Sequence, residues 1–178
     1  MNLPEKIVAV HLALSGAAIP HAFGGALALA WCTQQARGTN DIDVNLFVSP
    51  DRATEVLAAL ADIAPSNDAD LATIERDGQV RLRWDETPID LFFNTTEFHE
   101  LVAGRGRLEP FLGHDLPFLS CRDLAVFKAF FNRTQDWADL EAMQSAGTLD
   151  VDAVVGVLVR MLGTEDDRVE HLLKITRP

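Results

Sequence analysis

Residues 22–48 read AFGGALALAWCTQQARGTNDIDVNLFV, and the order of residue types in this stretch decides the fold. A short apolar run ends in Gly24-Gly25, the segment Ala26 to Cys32 is almost wholly apolar before turning polar at Thr33, and Arg37-Gly38-Thr39-Asn40 leads into Asp41-Ile42-Asp43. Paired glycines between a strand and a helix let the backbone approach a ligand closely, with free N–H groups and a helix N-terminus facing it. Such a turn suits phosphate. Ala26–Ala36 has helix-forming composition without proline, and Gly38 and Asn40 are positioned to end that helix and turn the chain. From Asp41 to Val48, Ile42, Val44, Leu46 and Val48 alternate with Asp41, Asp43, Asn45 and Phe47. That is the period of a strand, and it puts Asp41 and Asp43 on one face. Two adjacent carboxylates repel unless a cation lies between them. Hard oxygen donors beside a phosphate-binding turn suggest magnesium and a nucleotide.

Pro88-Ile89-Asp90-Leu91-Phe92-Phe93 is a second apolar strand interrupted by one acid. Asp90 is costly there unless it is paired or bound to metal. As a third carboxylate from a neighbouring strand it would complete a two-metal site.

This ordered set (Gly24-Gly25, then Asp41-x-Asp43, then a strand carrying Asp90) resembles the DNA-polymerase-β-type nucleotidyltransferase superfamily. The fuller string, with Leu27 or Ala28, Arg37, Thr39 and Asp41-Ile42-Asp43, is similar to the abortive-infection branch, which includes the toxins of type IV toxin–antitoxin systems. That branch also carries a later lysine helix followed by an Arg-x-x-Asp-x-x-Asp helix, matched by Lys128 and by Arg133, Asp136 and Asp139. The resemblance spans roughly Pro20 to Met143. It implies an α+β, α/β-like nucleotidyltransferase fold, with a mixed sheet flanked by helices and a C-terminal helical extension. The catalytic core would be residues 1–119, and residues 120–178 a helical region packed on it. It also implies Asp41, Asp43 and Asp90 as catalytic metal ligands holding two Mg2+ ions. Gly24, Gly25, Lys128, Arg37, Thr39 and Asp136 would be the residues around a nucleoside triphosphate donor. Gly24 and Gly25 would offer N–H groups to the phosphates and Lys128 would neutralise the departing pyrophosphate. Arg37 and Thr39 read more simply as fixing the turn before Asp41. Asp136 and its neighbours read equally well as a structural ion pair between helices.

The 178 residues are 48% hydrophobic and 24% charged, enough for a sizeable core. A net charge of −12 repels polynucleotides in general and weighs against extended DNA binding. The acceptor classes left open are a transfer RNA, a protein and a cationic small molecule; charge favours the last, the motif set favours the toxin-like pair, and charge is the weaker guide because acidic composition is common. A toxin-like role would add an antitoxin partner. Cys32 and Cys121 lie in apolar contexts and read as reduced core residues. No stretch reads as a signal peptide or membrane span, so the expected compartment is the cytoplasm. Zinc spacings, a P-loop and a G-x-S-x-G elbow are missing from the sequence. A catalytically inactive nucleotide-binding regulator, or an interaction module, on the same scaffold is the alternative to an enzyme.

The remaining chain punctuates clearly. Pro4–Ser15 reads as a first helix, Ile19–Phe23 as a strand, and Ser49-Pro50-Asp51 as the start of a helix ending near Ile63. Leu71–Arg76 and Gln79–Trp84 read as two strands of a hairpin turning at Asp77-Gly78. In the second, Arg81 and Arg83 share one face, which reads as solvated or, alternatively, as a basic strip for a triphosphate or an RNA end, and Glu86-Thr87-Pro88 turns the chain into the Asp90 strand, antiparallel to its predecessor. Thr95–Val102 reads as a short helix, and Arg105–Gly113 as an edge strand. From Ser120 onward helices follow, with an apolar stripe Leu124, Phe127 and Phe131, a helix from Val151 stopped by Gly163, and a last helix packed by Val169, Leu172 and Leu173.

Overall fold

A computed structural model describes residues 1–175. The described chain divides into two compact units, one formed by Met1–Leu27 and Gly38–Leu119, the other by Ala28–Arg37 and the described residues from Ser120 onward.

The first unit opens with helix α1, Leu3–Gly16. Asn2 and Glu5 cap it reciprocally: the Asn2 side chain accepts the Glu5 N–H and the Glu5 carboxylate accepts the Asn2 N–H, both at 2.9 Å. Ile7, Val10 and Leu14 form its buried stripe. Strand β1, His21–Phe23, is buried throughout. Helix α2 runs over Gly25–Thr33 and strand β2 over Ile42–Leu46. A 3-10 turn at Pro50–Arg52 leads into α3, Ala53–Leu60, which buries Ala53, Val56, Leu57 and Leu60. Helix α4, Asp68–Asp77, is followed by the antiparallel pair β3, Gln79–Trp84, and β4, Thr87–Phe92. Helix α5, Glu97–Val102, is capped by Thr96. A second antiparallel pair, β5, Arg107–Phe111, and β6, His114–Phe118, completes the unit.

The six strands form one mixed sheet in the order β3-β4-β2-β1-β6-β5. The β2–β4 and β1–β6 pairs are parallel and the others antiparallel. Ile42, Val44, Leu46, Ile89 and Leu91 are fully sealed from water at its centre. The β5 edge carries Pro110, a residue suited to an edge because it lacks an N–H.

The second unit contains helices α6, Cys121–Phe131, α7, Thr134–Ser145, α8, Val151–Leu162, and α9, Asp167–Ile175. Ser120 caps α6 by accepting the Asp123 N–H, and Gly163 closes α8 with its N–H on the Val159 carbonyl. Trp137 stacks on His171 with ring centroids 3.8 Å apart. Among the described residues no helix is long and apolar enough to cross a membrane.

Four expectations need correction. Leu71–Arg76 is helical, because Asn67 and Asp70 build a capping box that outweighs local strand pattern, and Gly78 ends the helix in the left-handed conformation at φ +67. Asp77-Gly78 is therefore a helix end, and the hairpin turns at Asp85, φ +52. Helix α2 stops at Thr33, with Gln34 at φ +56, short of Gly38 and Asn40. Helix α6 buries Asp123, Leu124, Ala125, Val126, Lys128 and Ala129, while Phe131 and, on α9, Leu173 are exposed. Finally, Cys32 and Cys121 are not free thiols but a disulfide: the two helices bring their Cα atoms to 5.5 Å, within bridging range.

This disulfide spans a sequence separation of 89 residues. Loop-closure entropy gives it about 4–5 kcal/mol of stabilisation. Urea denaturation with and without dithiothreitol is expected to show a loss of that order for the wild type on reduction, and no effect of reductant on Cys32→Ser.

His99, buried in α5 and edge-on to Phe47, has its pKa pushed down to about 4 by burial, partly opposed by a hydrogen bond to the Phe93 carbonyl. Its folded pKa lies below the unfolded value, so its contribution is intact above pH 6.5 and is lost as pH falls from there towards 4. The loss is about 3 kcal/mol. Burial lowers His11 and His21 in the same direction. Denaturation midpoints are expected to fall between pH 7.5 and 5, and His99→Gln to flatten that slope.

Candidate active site

The site grows from strand register. In the β3–β4 pair Arg81 lies opposite Asp90, and in the β2–β4 pair Asp90 lies opposite Asp43. On the other side of β2, the Gly24 N–H donates to the Asp43 carbonyl at 3.0 Å. Arg81, Asp90, Asp43 and Gly24 thus form a row across four strands or strand ends. Because neighbours in register project from the same face, the charged side chains of this row converge.

The two glycines are required by shape. Gly25 opens α2 with φ +52, and a Cβ there would lie 1.8 Å from Asp43 Oδ2. A Cβ on Gly24 would lie 2.7 Å from Asn45 Nδ2 and 3.3 Å from Leu119 Cδ1. The Asp43 carboxylate therefore rests against the bare backbone at the first turn of α2, where N–H groups without helical partners are available. Asn45, buried on β2, is a site residue that the sequence pattern did not single out.

Each carboxylate has its own support. Thr39 Oγ1 donates to Asp41 Oδ1 and lies 3.4 Å from the Asp41 N–H and carbonyl, which holds the residue as it enters β2. Asp90 is gripped by the Arg81 fork, Nε to Oδ1 at 2.7 Å and Nη2 to Oδ2 at 2.6 Å. The hydrogen-bonded Asp90 carboxylate, with smaller contributions from Asp41 and Asp43, holds the Arg81 guanidinium pKa well above its usual range. The cost of burying Asp90, evident from the sequence, is met here by Arg81. Reading Arg81 as part of a solvated strand face missed this. The signal was its position opposite Asp90 across the turn that joins β3 to β4.

Among the described residues no three of His, Cys, Asp and Glu are gathered as a metal cluster. The residues nonetheless fit a divalent cation in donor chemistry: Asp41 and Asp43 offer hard oxygens beside the glycine turn, and Asp90 stands in register with Asp43.

Lys128 and Asp136 belong to the helical unit, in a buried network. Lys128 Nζ lies 2.6 Å from Asp139 Oδ2 and 3.5 Å from Asp136 Oδ1. Arg133 Nε donates to Asp136 Oδ2 at 2.6 Å, and Gln135 Nε2 to Asp139 Oδ1 at 2.9 Å. Arg37 Nη2 donates to Asp139 Oδ2 at 3.3 Å, so its polar contact is with α7 rather than with the turn before Asp41.

No family model matches the sequence, and no curated protein does. Solved structures do. The antibiotic-resistance factor ANT(2'')-Ia, studied in solution, aligns with a TM-score of 0.63 at 14% identity, covering 96% of each chain. An antigenic nucleotidyltransferase-like protein from Paracoccidioides brasiliensis aligns at 0.56 with 13% identity, over 96% of this chain and 92% of that one. The crystal structure of ANT(2'')-Ia in complex with adenylyl-2''-tobramycin aligns at 0.55 with 12% identity, over 97% and 95%. The chain has the α+β nucleotidyltransferase fold with its mixed sheet.

Gly25→Ala is expected to lose about 1–2 kcal/mol from its left-handed backbone alone, and more from displacing Asp43. Urea denaturation beside the control Gly38→Ala, where an added Cβ meets no atom within 4 Å, checks this.

Proposed function

We propose that the chain transfers a nucleoside monophosphate from a nucleoside triphosphate to a hydroxyl of a cationic small molecule. The observation that carries this is the row Arg81–Asp90–Asp43–Gly24, set against the glycine turn that opens α2. Gly24 and Gly25 present backbone to the triphosphate. Asp90 accepts the proton of the attacking hydroxyl, the acceptor oxygen bonds to the α-phosphorus, and the bond to the β-phosphate oxygen breaks to release pyrophosphate. Divalent cations held by Asp41 and Asp43, with Asp90 beside them, would supply the charge neutralisation that such transfers need.

The net charge of −12 favours a cationic acceptor by attraction and disfavours a polynucleotide. Adenylyl-tobramycin in a structure of the same fold is in keeping with that choice. A toxin-like enzyme acting on RNA or protein, with an antitoxin partner, rests on the Arg37-to-Asp43 and Arg133-to-Asp139 patterns. The burial of Lys128, Asp136 and Asp139 in one ion network gives the second of these a structural task. Nucleoside triphosphates point to a cytoplasmic setting, where the Cys32–Cys121 disulfide has to withstand a reducing thiol pool. A non-catalytic nucleotide-binding module is favoured by one observation, the occupation of both Asp90 oxygens by Arg81.

The test offers each of four nucleoside triphosphates, labelled at the α-phosphate, with magnesium and with aminoglycosides, bulk RNA or cell protein as acceptor. Label should move to the aminoglycoside class, with rates reduced roughly a thousandfold or more in Asp43→Asn. Transfer to RNA or protein instead would establish the toxin-like reading. Nucleotide binding without transfer to any class would establish the binding module.

A further inference from the structure

We propose that Arg81 is a resident counter-cation of the carboxylate row, which a divalent cation must displace from Asp90 before all three acids can act together. This rests on the reading of the row as a nucleotidyl-transfer site.

Two observations carry it. The first is occupancy. Both Asp90 oxygens are taken by the Arg81 fork at 2.6 and 2.7 Å, so no bidentate position on Asp90 is left for a metal while the pair stands. The second is asymmetry of access. The Arg81 side chain is 55% exposed on the edge strand β3, whereas the Asp90 side chain is 15% exposed on the interior strand β4. The guanidinium has solvent to move into on a flexible stem, and the carboxylate does not.

The energetics allow exchange. An ion pair with one half-exposed partner contributes little net stability, because water competes for the exposed group and screens the charge. A divalent ion carries twice the charge of the guanidinium, and Asp43 and Asp90 would hold it through hard carboxylate oxygens. Without metal, Arg81 keeps three neighbouring carboxylates from destabilising the sheet. With metal, the same carboxylates become ligands and Arg81 is released towards the solvent beside them. Arg83, two residues along the same strand face, has Pro88 as its register partner and serves as a control for simple loss of positive charge.

The test measures binding of Mn2+ alone, without nucleotide, by the electron paramagnetic resonance signal of the free ion. Wild type, Arg81→Met, Arg83→Met, Asp90→Asn and the double variant Arg81→Met/Asp90→Asn are compared, with circular dichroism confirming that each is folded. Arg81→Met is expected to tighten Mn2+ binding roughly tenfold, and Arg83→Met less than twofold. Asp90→Asn is expected to weaken binding more in the Arg81→Met background than in wild type, because only there is Asp90 free before the ion arrives. If Arg81→Met misfolds, Arg81→Gln takes its place in the same cycle. Mn2+ binding that is lost in Asp43→Asn but unchanged in Arg81→Met, or an equal effect of Asp90→Asn in both backgrounds, overturns the displacement role and leaves the transfer reading standing. No Mn2+ binding by wild type or by Arg81→Met overturns both.

Discussion

In the parallel pairing of β2 with β4, Asp43 stands opposite Asp90 while the residues flanking them, Ile42, Val44, Ile89 and Leu91, are sealed from water. Strand alternation makes these two facts inseparable. A slip of one residue would carry the acids into the core and the aliphatic side chains to the charged face. The hydrophobic core therefore fixes the register, and the register fixes the distance between carboxylates that repel each other. The same row extends to Gly24 on one side and Arg81 on the other, so the apolar interior of the sheet sets out a polar device on its face.

The helical unit meets a related electrostatic problem differently. Asp136 and Asp139 are buried, and the cations Lys128, Arg133 and Arg37 surround them. Removing one member of such a set leaves a desolvated charge behind, which typically costs several kcal/mol. In the sheet unit the cation is half-exposed and the carboxylates line an open row. In the helical unit the lysine is buried with the acids. The first arrangement suits exchange of a counter-ion and the second suits permanence, although both begin from carboxylates near a basic side chain.

Local rules carried much of the fold. Alternation placed β2, an apolar run placed β4, Pro4 and Ser120 marked helix starts, and Gly163 marked a helix end, all through interactions within a few residues. The order of Gly24-Gly25, Asp41, Asp43 and Asp90 was legible because glycine and acid positions in and beside strands are conspicuous against an apolar background. Leu71–Arg76 misled because Asp-Gly is both a hairpin turn and a helix end, and only the Asn67–Asp70 capping box decides between them. The Arg81–Asp90 fork and the Cys32–Cys121 bridge were illegible for another reason. Each depends on pairing between segments whose relative placement must be known first, nine residues apart in the one case and 89 in the other.

The disulfide also has a topological meaning. It joins helix α2, whose later turns count with the helical unit, to helix α6, which begins only after the sheet is complete. Residues 38–119 are thus an insertion within the helical unit, and that unit is discontinuous along the chain. A ribosome emitting this protein releases Cys32 long before its partner exists, and the early fragment must wait, thiol uncommitted, while the whole sheet is made. Cutting the gene between Leu119 and Ser120 would separate α6–α9 from Ala28–Arg37 and so would leave the helical unit without its first segment. The natural boundary lies in the contacts, with one helix shared across it.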